Sequence, residues 1–429
     1  MINNNKVCFH TLGCKLNFAE TSELGRQLYA AGFVRAAQGE QADLCVVNTC
    51  SVTDVADHKC RQAISRLKKL HPSATMIVTG CYAQLNPEEL AKIEGVDLIL
   101  GTREKFDLVD FLSKNNFPQK IQHSDILNVT TFHPSCSHGD RTRVFLKIQD
   151  GCDYFCTYCA IPMARGHSRS GTVNQTVTAV ENALSEGARE IILTGINIGE
   201  FGRRVGENFF GLISALDKID ADVRFRISSI EPNLLTSEII ALVAASKHFM
   251  PHFHIPLQSG ADQILRLMKR RYNTDLFACK IRKIRELLPD AFIGVDVITG
   301  VRGETDELFE ESFNFIKNLD ISALHVFTYS ERRGTKMLEI EHSVPVKEKK
   351  RRSDVLRALS AEKTATFYRS QIGKTANVLW ESRRKDNKMY GFTDNYLQIC
   401  VEYDKAKVNT VENIQIEEKY LHHVLNPHS

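Results

Sequence analysis

The sequence predicts a three-part α/β chain. A parallel-sheet α/β domain spans residues 1–125, a partial (β/α)6 barrel spans 138–366, and a small antiparallel β-barrel spans 367–429. Three observations predict this. Short apolar runs alternate with helical patterns in two separate series, as in parallel sheets covered by helices. A polar stretch broken by Pro118 and Pro134 separates the two series. After Gly373 the helical pattern gives way to closely spaced strands. At 429 residues the chain is also too long for one ordinary core.

In the first series KVCFHT, ADLCVVNT, ATMIVTG and VDLILG read as strands. NFAETSELGRQLYAA, DVADHKCRQAISRLKKL and NPEELAKIE read as the helices between them, the last opening with Pro87 at its first position. Cys14, Cys50 and Cys81 each follow directly on the end of one of these strands. Open parallel sheets bind ligands outside the carboxyl ends of their strands. The fold therefore brings three cysteines, distant in sequence, to one rim, where three buried loop thiols are the bland alternative.

The polar segment over 101–140 reads as a connector. From Arg143 a second series runs through RVFLKIQ, REIILTG, VRFRISS, FHIPLQ, FIGVDVITG and SALHVFTY, with helical patterns such as GTVNQTVTAVENALSEG between them. Six such units predict an open, TIM-like barrel. GCDYFCTYC follows the first of these strands, so Cys152, Cys156 and Cys159 fall on the carboxyl rim, where barrel enzymes keep their sites. Their C-x3-C-x2-C spacing lets one loop offer three thiolates to one face of a cubane iron–sulfur cluster, one short of the four that saturate it. Structural zinc would require paired C-x2-C spacing and a fourth ligand, for which His167 is the nearest candidate.

The helix VKEKKRRSDVLRALSAEKTATFYRSQ reads most simply as a solvated charged face. Lys347, Lys349 to Arg352 and Lys269 to Arg271 are candidates for tracking phosphates. KTANVLWES, KMYGFTD, YLQICVEY and a segment near VENIQIEEKY then read as a small all-β unit, with Tyr390, Phe392 and Tyr396 as core or base-stacking aromatics. Cys8 and Cys45 fall in strand patterns and are expected to be buried, and Cys60, Cys136, Cys279 and Cys400 carry no assigned role. A net charge of +3 permits a nucleic-acid partner without arguing for one. No stretch reaches the length of a membrane span, and no apolar signal run opens the chain. A cytoplasmic protein with no membrane partner is expected. In a reducing compartment twelve cysteines point to metal or redox chemistry rather than disulfides.

The C-x3-C-x2-C loop resembles the signature of the radical SAM superfamily. The combination of TLGCKLN, NTC and TGC with that loop, and with HIPLQSG, MKRRY and YSERRGT, resembles the narrower radical SAM methylthiotransferase family over nearly the whole chain. The C-terminal unit resembles the TRAM module, an RNA-binding barrel, best at GFTDNY. The resemblance implies two [4Fe-4S] clusters. One would be held by Cys152, Cys156 and Cys159 and would cleave S-adenosylmethionine to a 5′-deoxyadenosyl radical. An auxiliary cluster held by Cys14, Cys50 and Cys81 would carry the sulfur that a second S-adenosylmethionine methylates. By the same resemblance Tyr158 lies near the adenine, and Asn197, Ser228, Ser229, Gln258 and Asp296 line the rest of the cofactor site.

TLGCKLN resembles the branch that places a methylthio group on C2 of N6-threonylcarbamoyladenosine at position 37 of tRNA. Rival branches modify N6-isopentenyladenosine in tRNA or an aspartate of a ribosomal protein, and a non-catalytic metal-containing RNA-binding protein is the alternative of another class. The implied partners are that tRNA, an electron donor and a sulfur source. The threonylcarbamoyl group carries a carboxylate, which an arginine can grip with two bonds. Arg165, Arg332 and Arg333, flanking strand ends on the rim, are the candidates. Val301-Arg302 departs from a phenylalanine-proline pair common in the family and leaves both cysteine triads intact.

Overall fold

A computed structural model describes residues 5–113, 119–137, 139 and 142–425. Pro118 and the domain boundary expected at 138 lie outside the described residues. The first series forms a six-stranded parallel sheet in the order Val34–Arg35, Lys6–Thr11, Leu44–Thr49, Thr75–Gly80, Leu98–Leu100, Ile121–Gln122. Every residue of Leu44–Thr49 is buried, as expected of a central strand covered on both faces. Helix Lys15–Ala30 packs on one face with Leu24 and Leu28. Helix Asp54–Leu70 packs on the other with Cys60, Ile64 and Leu67, and the Thr53 hydroxyl caps it by accepting from the Ala56 amide at 3.2 Å.

The connector does more than link. Ile121–Gln122 adds the edge strand of the first sheet, and Ser135–Cys136 pairs antiparallel with Arg143–Lys147 at the edge of the second. Each segment is two residues long, too short to show a period in sequence.

The central domain carries the six expected parallel strands, Arg143–Lys147, Glu190–Thr194, Arg224–Ile227, His252–Gln258, Phe292–Thr299 and Ala323–Thr328. They pair as two groups of three, joined by the isolated bridges Phe225–Phe249 and Ser229–His254. Strand alternation sorts the side chains. Val144, Leu146, Ile191, Leu193, Phe225, Ile227, Phe253 and Ile255 pack into the main core beneath the helices. Phe145 and Ile192 point the other way and pack against Ala19 and Phe18. Helix Lys15–Ala30 of the first domain thus covers the open side of the barrel.

The C-terminal strands form an antiparallel sheet in the order Gln398–Glu402, Lys388–Thr393, Thr375–Lys385, Val411–Gln415. Asp386 and Asn387, both at positive φ, make the two-residue turn of its central hairpin. The sheet docks on the barrel through two buried arginines. Arg224 donates to the carbonyls of Asn377 and Phe392, and Arg226 to those of Thr393 and Asp394, at 2.6–3.3 Å. Tyr396 packs against His252, Phe292 and Phe392, with Arg226 over its ring at 5.0 Å. Phe392 and Tyr396 are therefore docking residues rather than free base-stacking platforms. In helix Val346–Ser370, Lys349 lies over Tyr329 and Arg352 pairs with Glu304, so these two of the candidate phosphate contacts turn inward. Among the described residues no helix is long and apolar enough to cross a membrane.

Candidate functional site

The three strand-end cysteines of the first domain meet on one rim, as the parallel topology requires. Cys14 caps helix Lys15–Ala30, Cys50 follows Leu44–Thr49, and Cys81 opens the short helix Cys81–Leu85. The approach is close enough to demand glycine before two of them. A Cβ on Gly13 (φ +104°) would stand 2.7 Å from Cβ of Cys50, and one on Gly80 (φ +100°) 2.4 Å from the Thr49 carbonyl oxygen. Asn17 ties the loops together. Its Nδ2 donates to the carbonyls of Leu12 and Thr49 at 2.8 and 3.0 Å, and its Oδ1 lies 3.9 Å from Sγ of Cys14. Burial, with Cys81 and Cys14 alongside, pushes the Cys50 thiol up to about 12, and burial raises Cys81.

The second triad occupies a tight loop. A Cβ on Gly151 (φ +68°) would fall 2.1 Å from the His167 carbonyl oxygen, and Phe155 takes a left-handed conformation at φ 49°. The Tyr154 amide donates to Sγ of Cys152 at 3.5 Å, and Nη1 of Arg270 donates to Sγ of Cys156 at 3.1 Å. Arg270 also pairs with Glu231. Burial raises Cys152, raises Cys156 against the opposing pull of Arg270, and with Cys156 nearby takes Cys159 up to about 12. Buried, neutral thiols of this kind become good ligands only when a cation displaces their protons.

The donor sets decide what kind of metal they fit. Four sulfurs around one zinc stand about 3.8 Å apart, given Zn–S bonds of about 2.3 Å. Among the described residues, the groups whose ligand atoms all lie within 4.8 Å of one another are Cys8 with Cys45 and His71, and His254 with Asp296 and His325; neither triad is among them. His167, the candidate fourth zinc ligand, instead holds Oδ1 of Asp153 at 2.6 Å through its Nδ1. Three free thiols gathered from one rim or one loop fit an iron–sulfur cluster, whose irons take thiolate ligands.

A cleft lies between the two loops. Ser51, Val52 and Thr53 line it from the Cys50 side, Tyr158 to Ile161 from the Cys159 side, and Gln258, Asp296, Phe327 to Ser330 and Arg332 from the barrel. Oε1 of Gln258, Oγ of Ser51, and Nε and Nη2 of Arg332 are buried there without a partner. On the carboxyl rim of the neighbouring strands, both side-chain atoms of Asn197 and Oγ of Ser228 are likewise buried and unpartnered. Native proteins seldom leave buried polar atoms unsatisfied, so a cluster of them marks a place for a ligand. Gln258 also sits at φ 68°, where the pairing of its strand slips. Asp296 accepts from or donates to Nε2 of His254 at 2.6 Å, and Ser229 is half-buried at the bridge to that histidine.

The three arginines part company. Arg332 lines the cleft, with Nη1 on Asp57 at 2.6 Å and on Asp54 at 3.2 Å. Arg333 is exposed and does not line the cleft. Arg165 is wholly buried and spends both Nη atoms on protein partners, with Nε alone unpaired, so the expectation that it grips a substrate carboxylate with two bonds is corrected. It donates to Glu20 at 3.0 and 3.1 Å, to Asp150 at 2.9 Å and to Oδ1 of Asn17 at 2.6 Å. Lys105 and Lys147 also bond Glu20, and Lys147 and Arg169 bond Asp150. This charge cluster joins the first domain to the barrel.

Burial alone would raise Glu20 and Asp150, but the surrounding cations hold both well below the usual carboxylate range. A depressed carboxylate contributes stability that is complete above its unfolded value, near 4.5 for Glu20, and is lost as pH falls below it. Glu20→Gln is expected to destabilise the protein by about 3–5 kcal/mol near neutral pH, because it leaves buried cations uncompensated. In urea denaturation the deficit should shrink as pH drops below 4.5. A deficit that holds constant into acid would show that charge is not its source.

Arg270, Glu231, Asn17 and Glu20 make contacts around the two triads that the sequence reading did not place there. Arg270 sits in MKRRY, where Lys269 to Arg271 read as candidates for tracking phosphates, yet its side chain is buried against Cys156. Its neighbour Arg271 lies over the Tyr154 ring at 4.0 Å.

Residues 6–101 match the family described as Uncharacterized protein family UPF0004, and residues 146–316 match the Radical SAM superfamily. Threonylcarbamoyladenosine tRNA methylthiotransferase MtaB of Bacillus subtilis (strain 168) is 36% identical over 422 residues, covering 96% of this chain and 93% of that protein. The protein of the same name from Aquifex aeolicus (strain VF5) is 36% identical over 399 residues, covering 92% and 96%. Among solved structures, the radical S-adenosylmethionine methyltransferase TsrM from Kitasatospora setae, with cobalamin and a [4Fe-4S] cluster bound, aligns at a TM-score of 0.58 and 15% identity over 76% of this chain and 75% of that one. The cobalamin-dependent radical enzyme OxsB aligns at 0.52 and 13% identity over 85% and 58%.

Proposed function

The chain belongs to the radical SAM methylthiotransferase family, in its threonylcarbamoyladenosine tRNA branch, and from that premise we propose that it places a methylthio group on C2 of N6-threonylcarbamoyladenosine at position 37 of tRNA. We propose further that it uses two [4Fe-4S] clusters and two molecules of S-adenosylmethionine per turnover. The observation that carries this reading is one cleft walled on opposite sides by the loops of two three-thiol sets, with unpartnered buried polar atoms around it.

In this reading Cys152, Cys156 and Cys159 hold the cluster that chelates S-adenosylmethionine, and Cys14, Cys50 and Cys81 hold the one that carries sulfur. When bound, these groups supply one-electron cleavage of S-adenosylmethionine and a sulfur atom for methylation. The chain's own residues bind and orient. Tyr158, Gln258 and Asp296 would hold the cofactor within the cleft, and Asn197, Ser228 and Ser229 would line the rest of its site on the adjoining strand ends. Arg270 donates to the Cys156 sulfur and favours its charged form. Nε and Nη2 of Arg332 lie on one edge of its guanidinium and present a two-donor fork suited to the substrate carboxylate. Position 37 lies in a single-stranded loop, so its base can be splayed into the cleft rather than pulled from a duplex.

Nucleoside mass spectrometry of host tRNA, with and without the gene, tests this directly. Loss of the 2-methylthio derivative of N6-threonylcarbamoyladenosine, with its unthiolated precursor accumulating, is the expected result. Loss of only the isopentenyl derivative would keep a tRNA substrate and refute the threonylcarbamoyl one, and no change in either would refute tRNA methylthiolation and point to the protein-modifying branch or a non-catalytic role.

A further inference from the structure

We infer that Arg165 is a positioning residue that fixes the spacing between the two cysteine triads, resting on the proposed reading that each triad holds a cluster. Arg165 ends the short helix Ile161–Arg165, which begins two residues after Cys159. The chain leaves that helix through Gly166 at φ +75°, where a Cβ would fall 2.3 Å from the Ile126 carbonyl oxygen, so the helix end cannot drift. From there the guanidinium crosses into the first domain and bonds Glu20 and Asn17. Asn17 stands one turn into the helix that Cys14 caps, and it holds the carbonyl of Thr49, the residue before Cys50. One side chain thus links the loop of the second triad to two cysteines of the first.

The link is stiff. Arg165 and Glu20 are fully buried and Asn17 nearly so, and Arg165 makes its four bonds within one plane of donors. A lysine keeps the charge but cannot reproduce a fork shared among Glu20, Asp150 and Asn17. A second bridge across the cleft joins Arg332 to the buried carboxylate of Asp57 at 2.6 Å, with Asp54 and Ser330 at its exposed edge, but it holds helix Asp54–Leu70 rather than the loop of either triad. Spacing is what the proposed reaction needs. Hydrogen abstraction at one end and sulfur delivery at the other must address the same carbon, and a shift of about 1 Å can cost a factor of about 10² in such a step.

The test uses full-length, cluster-loaded Arg165→Lys. Its iron content and its release of 5′-deoxyadenosine are expected to match wild type. Thiolated tRNA per 5′-deoxyadenosine should fall about 10²-fold, and the magnetic interaction between the two reduced clusters, read by electron paramagnetic resonance, should change. Asn17→Ala breaks the far end of the same link and should lower the same ratio, with the double variant no worse than the more affected single one. An unchanged ratio with an unchanged spectrum in both variants overturns the inference. So does iron in Arg165→Lys falling to half, which would make Arg165 a support for one cluster only. If wild type itself carries about four irons rather than about eight, the two-cluster reading fails first, and the iron count alone identifies that failure.

Discussion

The triple variant Cys14→Ala, Cys50→Ala, Cys81→Ala is expected to cleave S-adenosylmethionine at the wild-type rate and to form no methylthio product. The separation follows from the architecture. These three thiols stand on the strand ends of one sheet, and Cys152, Cys156 and Cys159 stand on a loop of another. Each set is supported by its own loop glycines and its own core. Alanine removes only the sulfurs and leaves the backbone contacts of each rim in place, including that of Cys81–Leu85 with Ile161–Arg165. The reciprocal variant, with the barrel triad changed to alanine, should lose 5′-deoxyadenosine formation and thiolation together while keeping about half the iron. Iron and labile sulfide analysis, with chromatography of 5′-deoxyadenosine, reads both variants. A first-triad variant that still thiolates would remove that triad from the chemistry. A barrel-triad variant that still cleaves the cofactor would remove the other.

Arg332→Lys is expected to lower kcat/KM on threonylcarbamoyl-bearing tRNA by about 10- to 100-fold, since the two-donor, charge-assisted grip of Nε and Nη2 is lost. Lysine is the informative change. Alanine would also strip Asp57 of its partner, whereas lysine can keep that pair and still forfeits the free Nε and Nη2 donors. The same measurement on an anticodon stem-loop whose threonine carboxylate has been amidated should show wild type slowed to the level of the variant and the variant unaffected. Equal discrimination by both enzymes would sink the assignment of Arg332 as the carboxylate grip.

The parts of this molecule that repeat locally were legible in the sequence. Strand patterns ending in Cys14, Cys50 and Cys81 announced a shared rim, because parallel topology turns sequence position into spatial position. The six strands of the barrel and the four of the C-terminal sheet followed from the same periodicity. What was not legible depends on pairing across long separations. Glu20 and Arg165 are 145 residues apart and meet inside the interface, so neither carries a local sign of the other. A basic residue on a barrel rim looks the same in sequence whether it lines the cleft, as Arg332 does, or closes a buried ion cluster, as Arg165 does. Ile121–Gln122 and Ser135–Cys136 were hidden for a different reason, since two residues cannot display alternation. Burial of Cys45 was legible from its strand, but its contact with Cys8 at 2.8 Å depends on register between two strands.

The way the C-terminal sheet is seated bears on how such a molecule can change over generations. Arg224 and Arg226 grasp main-chain carbonyls of Asn377, Phe392, Thr393 and Asp394, groups that every residue type supplies. Attachment read from the backbone is blind to most substitutions in the part being held. Exposed side chains of that sheet that touch nothing on the barrel can therefore change, and with them whatever surface the sheet offers a polynucleotide, while the arginines, Glu381 and Tyr396 keep its pose over the barrel. A lineage could retune which transcripts it handles without disturbing the reaction centre.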